Sequence, residues 1–305
     1  MQGELAARVP DRLAVEWRYW RHVGRRLDLR NPQTFDEKLH WLNLHQHDPL
    51  RSERSDKYVA REHVAARLGA GVLNELYGVW DRARDVPFEQ LPPSFVLKVS
   101  AGCGWNILCP DRSKLDVAAA RAKLAGWMRT KYYLRYRERH YRDMTPRIIC
   151  ERYLGDPAGE PPIDFKFFCF GGEPRFVQVD TDRFTQHARK MFDLSWRPAP
   201  FMIGRYPACP YEIPRPANLD RMIADAAILS AGFPFVRVDF YSIDDRTIFG
   251  EMTWIPAAGY NFFRPGSYAL KLGRMIRLPG EAVRLGGRSL GAPIAKPQPN
   301  GGALR

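Results

Sequence analysis

The stretch FVRVDFYSIDDRTIFGEMTW, residues 235–254, reads as two strands around an acidic turn, and it carries charges that apolar strands have no reason to hold. Strand side chains alternate with a period of two, so Arg237 and Asp239 share one face while Val236, Val238 and Phe240 share the other. If Asp244, Asp245 and Arg246 form a three-residue loop, Ile243 pairs with Thr247 and the same register sets Asp239 opposite Glu251. A loop of two or four residues would turn Glu251 away. Carboxylates among Phe, Val, Ile, Met and Trp are costly unless a cation or hydrogen bonds satisfy them. Two readings follow: a salt bridge from Arg237 to Asp239 or Glu251, or a shared Mg²⁺, which prefers hard oxygen donors and also binds nucleotide phosphates.

Working outward, NLDRMIADAAILSAGF is an amphipathic helix expected to be capped by Asn218, and it leads into this hairpin. PIDFKFFCFGGEPRFVQVDTDRF predicts another hairpin with Gly171-Gly172 at its tip. Lys166 lies there between Phe165 and Phe167, and Asp164 is expected on the opposite face from it. LPPSFVLKVSAGCGWNILC reads as a strand ending near Lys98, a glycine loop and a second strand. Backbone N–H groups of such a loop can cradle phosphate oxygens beside a lysine, although a plain turn has the same composition. No Gly-Lys-Ser or Gly-Lys-Thr follows, so this is not a Walker motif.

Towards the N-terminus, Thr34 and Glu37 have capping-box spacing, with a helix from about Phe35 carrying Leu39 and Leu42 behind it. RSDKYVAREHVAARLG repeats the pattern, with Ser55 or Asp56 as cap, Val59, Val64 and Leu68 as apolar positions, and Gly69 as stop. Residues 112–131 read as a helix, and PRIICERYLG as a strand entering a turn. The expected fold class is α+β: a helical N-terminal region over residues 1–55, one lobe over 56–152, a second over 153–282, and a disordered Gly- and Pro-rich tail over 283–305.

The chain has 305 residues, 45% of them hydrophobic, enough for a substantial core. No apolar run reaches the length of a membrane span, and Arg, Asp and Glu interrupt every short run near the start, so neither a span nor a signal peptide is expected. Cys103, Cys109, Cys150, Cys169 and Cys209 make an odd set without framework spacing, which suits a reducing, cytoplasmic setting. Much of the net charge of +13 lies between residues 112 and 147, ending in KYYLRYRERHYRD. That run could stack on nucleic acid, receive an anionic glycan, a nucleotide or a membrane surface, or simply be a solvated helix face with its aromatics turned inward.

The words NPQTFDEKLHWL, SDKYVAR, FVLKVSAGCGWNI, PRIICERYL, FKFFCFGGEPRFVQVDTDRFT, GFPFVRVDFY and GEMTWIPAAG, in this order from about residue 31 to 279, resemble the ATP-grasp superfamily, and within it the TupA-like branch. The resemblance implies two α/β lobes whose antiparallel sheets clasp ATP. It implies that Lys57 and Lys98 bind ATP phosphates, and that the loop of residues 100–106, with Ser100, Gly102, Gly104 and Asn106, closes over them. Glu151, with the backbone of residues 152–154 including Tyr153 and Leu154, would hold adenine. Asp239, Glu251 and Thr253 would hold Mg²⁺, with Arg237 and Lys166 as catalytic cations. Many ATP-grasp ligases have Asn where this chain has Thr253, and a Pro-Gly turn where it has Pro-Ala-Ala-Gly.

The activity implied is transfer of the γ-phosphate of ATP to a carboxylate, giving an acyl-phosphate that an amine converts to an amide. In the TupA-like branch this implies joining an amino acid or peptide to a uronic acid of a cell-surface polysaccharide. The partners are then ATP, an anionic sugar or polysaccharide precursor, and an amine donor. Arg135, Arg137, Arg139 and Arg183 are candidates for gripping a carboxylate, and Asp180, Asp182 and Arg183 for contacting acceptor or amine. Rival readings are a glycosyltransferase, which leaves Lys98 and its glycine loop unexplained, a basic nucleic-acid-binding module without catalysis, and an ATP-grasp fold that binds nucleotide without turnover. Cys103 within the glycine loop is expected to hinder nucleotide binding when its thiol is modified.

Overall fold

The computed structural model describes residues 8–156, 160–181 and 186–280; the expected tail at 283–305 lies outside them. Among the described residues four helices come before the sheets: α1 (Asp11–Val23), α2 (Phe35–His45), α3 (Pro49–Ser55) and α4 (Ala60–Leu68). Glu37 starts α2 as its spacing predicts, accepting from the backbone N–H of Thr34 at 2.8 Å. Asp56 precedes α4 in a turn, its carboxylate accepting from the N–H groups of Tyr58 at 2.8 Å and Val59 at 3.1 Å.

The smaller lobe follows. Strands β1 (Leu76–Trp80), β2 (Phe95–Val99), β3 (Asn106–Cys109) and, after helices α5 (Val117–Arg129) and α6 (Tyr133–Tyr136), β4 (Ile148–Arg152) form an antiparallel sheet in the order β1-β4-β2-β3. Asp116 caps α5 by accepting from Ala119 N–H at 2.9 Å, and Ala120 and Leu124 are buried in its core. In β2 the period of two sends Phe95, Leu97 and Val99 into that core and leaves Lys98 on the opposite face.

Strands β5 (Asp164–Phe170), β6 (Glu173–Thr181), β7 (Ala188–Asp193), the short β8 (Met202–Ile203), helix α7 (Leu219–Ser230), strands β9 (Phe235–Ile243), β10 (Arg246–Thr253) and β11 (Phe263–Arg264), and helix α8 (Tyr268–Gly273) complete the larger lobe. Its antiparallel sheet runs β10-β9-β5-β6-β7, and β8 pairs with β11. Phe35, Leu39 and Leu42 of α2, and Ala60 and Val64 of α4, belong to this lobe's core, Phe35 meeting Phe235 edge to face with ring centroids 5.0 Å apart. Helices on both sides of residue 56 therefore pack on the larger sheet. No helix among the described residues is long and apolar enough to cross a membrane.

Two expectations need correction. Asn218 makes no side-chain cap to α7; its side chain instead bonds Thr247 Oγ1 at 3.1 Å and Ser242 Oγ at 2.8 Å, tying the helix start to the β9–β10 hairpin. The aromatic and basic run is not a plain solvated face. Arg137 is buried, and Arg137, Arg139 and Arg142 lie 3.3, 2.9 and 3.4 Å from Asp11 of α1, whose carboxylate also accepts from Tyr133 Oη. Asn43 completes the clasp, donating to Arg137 O at 2.8 Å and accepting from Arg139 N–H at 2.9 Å.

Burial alone would raise the Asp11 pKa, but Tyr133 and the arginines outweigh it and lower it from 3.8. Its stabilising contribution is thus present above pH 3.8 and fades as pH falls through the lowered value. Asp11→Ala removes the carboxylate that Arg137, Arg139, Arg142 and Tyr133 share and should cost about 3 kcal/mol in urea unfolding at neutral pH. A change under about 0.5 kcal/mol, the size of an ordinary surface substitution, would show that the clasp does not hold α1.

Candidate functional site

Between the two sheets lies a cleft of about 490 Å³. Its floor is built by cross-strand pairing. One row runs Glu251↔Asp239↔Lys166↔Gln178 across β10, β9, β5 and β6; the next runs Tyr241↔Asp164↔Asp180↔Arg189 across β9, β5, β6 and β7. Facing residues on one side of a sheet meet directly, so these two rows gather the floor's polar groups. Asp164 does not oppose Lys166, as expected above; positions two apart share a face, and the lysine lies 2.8 Å from Asp164 and 3.2 Å from Asp239.

The turn that sets this register differs from the expected three-residue loop. Asp244 and Asp245 alone form it, both with positive φ, 49° and 57°, as a two-residue hairpin turn of the favoured type requires, and Arg246 pairs with Ile243. Glu251 nevertheless faces Asp239, because the register shifts between Phe249 and Glu251. The extra residue is Gly250. A Cβ there would lie 3.0 Å from the Asp239 carbonyl oxygen, so this bulge fits a glycine.

Arg237 binds what the bulge brings together. Its Nη2 lies 2.6 Å from Asp239 Oδ2, 3.3 Å from Glu251 Oε1 and 3.0 Å from Thr253 Oγ1, while Nε reaches Asp239 Oδ1 at 2.7 Å. Thr253 also donates to Glu251 at 3.2 Å. One guanidinium nitrogen thus sits where three hard oxygen donors converge, a donor set that fits Mg²⁺. Among the described residues no cluster of three or more His, Cys, Asp or Glu could hold a metal, so such an ion would need oxygens from a bound phosphate as well. Burial alone would raise the Glu251 pKa, but Lys57, Arg237 and Lys166 bring it down to about 2. Asp239 is deeper, and burial, only partly opposed by Arg237 and Lys166, pushes its carboxyl upward.

The smaller lobe supplies the facing wall. Lys57 Nζ donates to the carbonyl of Gly102, fastening the glycine loop, and Cys103, Gly104 and Asn106 line the cleft. Ser100 does not reach it: fully buried, its hydroxyl donates to Asp56 at 2.9 Å and accepts from Arg147 N–H at 3.1 Å. Lys98 Nζ and Arg61 Nη1 each lie 2.6 Å from the Glu151 carboxylate. Lys98, Asn106 and Tyr241 also border a narrower slot walled by Val96, Leu108, Tyr153, Leu154 and Pro162. Asn74 and Arg152 line this slot as well, and it shares Lys98, Asn106 and Tyr241 with the cationic cleft.

At the other end Asp180 is held by Arg189, with Nε 2.6 Å and Nη2 3.0 Å from its oxygens, and by Gln178 at 2.9 Å. Burial would raise its pKa, yet the Arg189 hydrogen bonds and charge, with Lys166 and His187, lower it to about 2. Arg189 lies over Tyr206, against which His187 also packs, ring centroids 3.8 Å apart. Asp182 and Arg183 lie outside the described residues. Gln178, His187, Arg189 and Gly250 were missed by the sequence reading; Gln178 alternates with Val177 and Val179, and a lone glycine within a strand marks a bulge, so two of the four were signalled.

A family model described as TupA-like ATPgrasp matches residues 37–277. No curated protein sequence matches the chain. Solved structures similar to it include D-alanine–D-alanine ligase from Bacillus anthracis complexed with ATP, at 13% identity and TM-score 0.43 over 73% of this chain and 63% of that one. The ADP complex of PurK, N5-carboxyaminoimidazole ribonucleotide synthetase, is similar at 14% identity and TM-score 0.44 over 72% of this chain and 50% of that one. The D-cycloserine synthetase DcsG is similar at 15% identity and TM-score 0.39, over 74% and 70%. The chain spans less than two thirds of the length of the first two.

Of the five cysteines, Cys103 alone is exposed. Desolvation between the cleft walls and the Glu251 carboxylate raise its pKa above the ordinary 9.0. Iodoacetamide on the native protein should therefore label Cys103 first, slowly at pH 7 and faster as pH rises towards 9, read by peptide mass mapping. Equal labelling of a buried cysteine, or a rate flat with pH, would contradict this geometry.

Proposed function

The chain belongs to the TupA-like ATP-grasp family, and from that premise we propose that it is an ATP-dependent carboxylate–amine ligase. The carrying observation is the meeting, across one cleft, of Lys57, Lys98 and the glycine loop with Arg237, Asp239, Glu251 and Thr253. The cleft is lined by six Lys or Arg side chains against four Asp or Glu, a surplus that suits a triphosphate and a carboxylate bound together.

In this reading adenine enters the slot beside Tyr153 and Leu154, with Glu151 orienting Lys98 at the boundary between slot and cleft. Lys57 holds the glycine loop where Gly104 and Asn106 can cover the phosphates. Asp239, Glu251 and Thr253 are the residues that would hold Mg²⁺, which when bound neutralises phosphate charge. Arg237 is the side chain that exchanges those oxygens for the transferring phosphoryl group. Lys166, fixed between Asp164 and Asp239, adds a second cation facing the reacting centre. The chemistry needs little covalent help from protein, so positioning and charge supply most of the rate. A carboxylate oxygen of the acceptor attacks the γ-phosphorus and ADP leaves with the bridging oxygen. The amine then attacks the acyl carbon, phosphate leaves, and the nitrogen loses a proton to give the amide.

The acceptor we propose is a uronic acid carboxylate of a polysaccharide or its precursor, joined to an amino acid or peptide. The end of the cleft lined by Arg205, His187 and Tyr206 supports this in charge and aromatic character, with Arg189 there already held by Asp180 and by the Ile203 carbonyl at 2.7 Å. Asp180 acts there through Arg189. The reading places the protein in the cytoplasm, where ATP is supplied.

ADP release should be measured with Mg²⁺-ATP, a panel of amino acids and uronic acids, and the variants Asp239→Asn and Glu251→Gln. Turnover that requires both acceptor and amine, and falls about 100-fold or more in each variant, is expected from the loss of a metal ligand. Turnover that survives both substitutions would overturn the assignment of these carboxylates, and absence of ATP binding to the unaltered chain would overturn the ligase reading.

A further inference from the structure

Helix α1 turns outward the three most exposed large apolar side chains among the described residues: Leu13 at 57%, Trp17 at 59% and Trp20 at 55%. Spacings of four and three place them on one stripe of the helix. The opposite face is fully engaged, with Val15 and Tyr19 buried and Asp11 held in its clasp. The helix is therefore fixed on the body of the protein with an apolar ridge facing solvent. Scattered exposed apolar residues are ordinary, but a contiguous tryptophan ridge marks an interaction surface.

Charge identifies the partner. Residues 8–30 hold seven arginines and three acids. Asp11 is occupied by the clasp and Glu16 by Arg12 at 2.8 Å, while Arg21, Arg25 and Arg26 are exposed around the end of the ridge. Arg21 lies 5.7 Å over the Trp17 ring, carrying its charge beside the apolar stripe. Tryptophan and leucine flanked by arginine is the composition of a helix lying in a membrane interface. We propose that α1 docks this protein on an anionic lipid bilayer, with Leu13, Trp17 and Trp20 at the headgroup boundary and Arg21, Arg25 and Arg26 against lipid phosphates. A second copy of the chain fits less well. A twofold contact along the ridge would bring together the arginines of two copies of α1, whose acids are Asp11, held in its clasp, and Glu16, already paired with Arg12.

Docking would also orient the cleft. His22 stacks on Tyr260 with ring centroids 4.8 Å apart, Tyr19 approaches the same ring at 6.5 Å, and Tyr260 lines the cleft. One helix diameter, about 10 Å, then separates that wall from the lipid surface. The inference stands apart from the activity proposed above.

The test is flotation of the full chain with vesicles of phosphatidylcholine alone and of phosphatidylcholine with phosphatidylglycerol, at low and high salt, with tryptophan emission recorded. Binding to the anionic vesicles, weakened by salt and accompanied by a blue shift, is expected. Trp17→Ser/Trp20→Ser and, separately, Arg21→Glu/Arg25→Glu should each weaken it about tenfold or more, with unchanged thermal midpoints showing intact folds. Failure of the unaltered chain to float with anionic vesicles, or undiminished flotation of both variants, would overturn the proposal. Sedimentation showing a dimer that Trp17→Ser/Trp20→Ser dissolves, without vesicle binding, would assign the ridge to a second copy instead.

Discussion

One extra residue in β10 decides what the cleft can hold. With a two-residue turn at Asp244-Asp245, uninterrupted pairing would set Glu251 opposite Val238 and turn its carboxylate to the apolar face. The bulge at Gly250 restores Glu251 to Asp239 and with it the convergence of Thr253 and Arg237. The crowding of Gly250 against the Asp239 carbonyl leaves little freedom in the choice of residue there.

The floor this register creates would be costly without its internal pairing. Asp164, Asp180 and Asp239 are all buried, and isolated charges in such positions are strongly unfavourable. Each faces a cation across or along the strands: Lys166 stands between Asp164 and Asp239, Arg189 on Asp180, and Arg237 on Asp239 and Glu251. Three cations of the floor thus compensate its four carboxylates in part, and the surplus of positive charge in the cleft comes from Lys57, Lys98 and Arg205 around them. Arg237 compensates these carboxylates and, in the function proposed above, stands where a divalent cation would bind. On the other lobe Glu151 does for Lys98 what Asp239 does for Arg237, holding a flexible cation at a fixed place.

Local pattern was enough to find most strands and the gathering of charge in residues 235–254, because a period of two is visible wherever apolar and polar residues alternate. It also located α2 through Thr34 and Glu37. The same pattern carried information that was misread: Asp164 and Lys166 are two apart in one strand, and Asp244-Asp245 tolerates the positive φ of a tight turn. Two departures, a shorter turn and a bulge, cancelled at Glu251. Other features depend on contacts remote in sequence. Asp11 is 126 residues from Arg137, and neither carries a local signal that they meet. Asn218 has the composition of a cap, but the nearby hydroxyls of Ser242 and Thr247 compete for its side chain. The Arg189 hold on Asp180 depends on a strand pairing that composition does not reveal.

The central claim is that Asp239, Glu251 and Thr253 form a cation site for a bound nucleotide and that Arg237 occupies it otherwise. A crystal structure with Mn²⁺ and a non-hydrolysable ATP analogue, recorded with anomalous scattering from manganese, tests this most directly. The account predicts an anomalous peak within coordination distance of Asp239 and Glu251, with Arg237 Nη2 removed from that point and bound to phosphate oxygen. Nucleotide in the cleft with manganese elsewhere and Arg237 still on both carboxylates would contradict it.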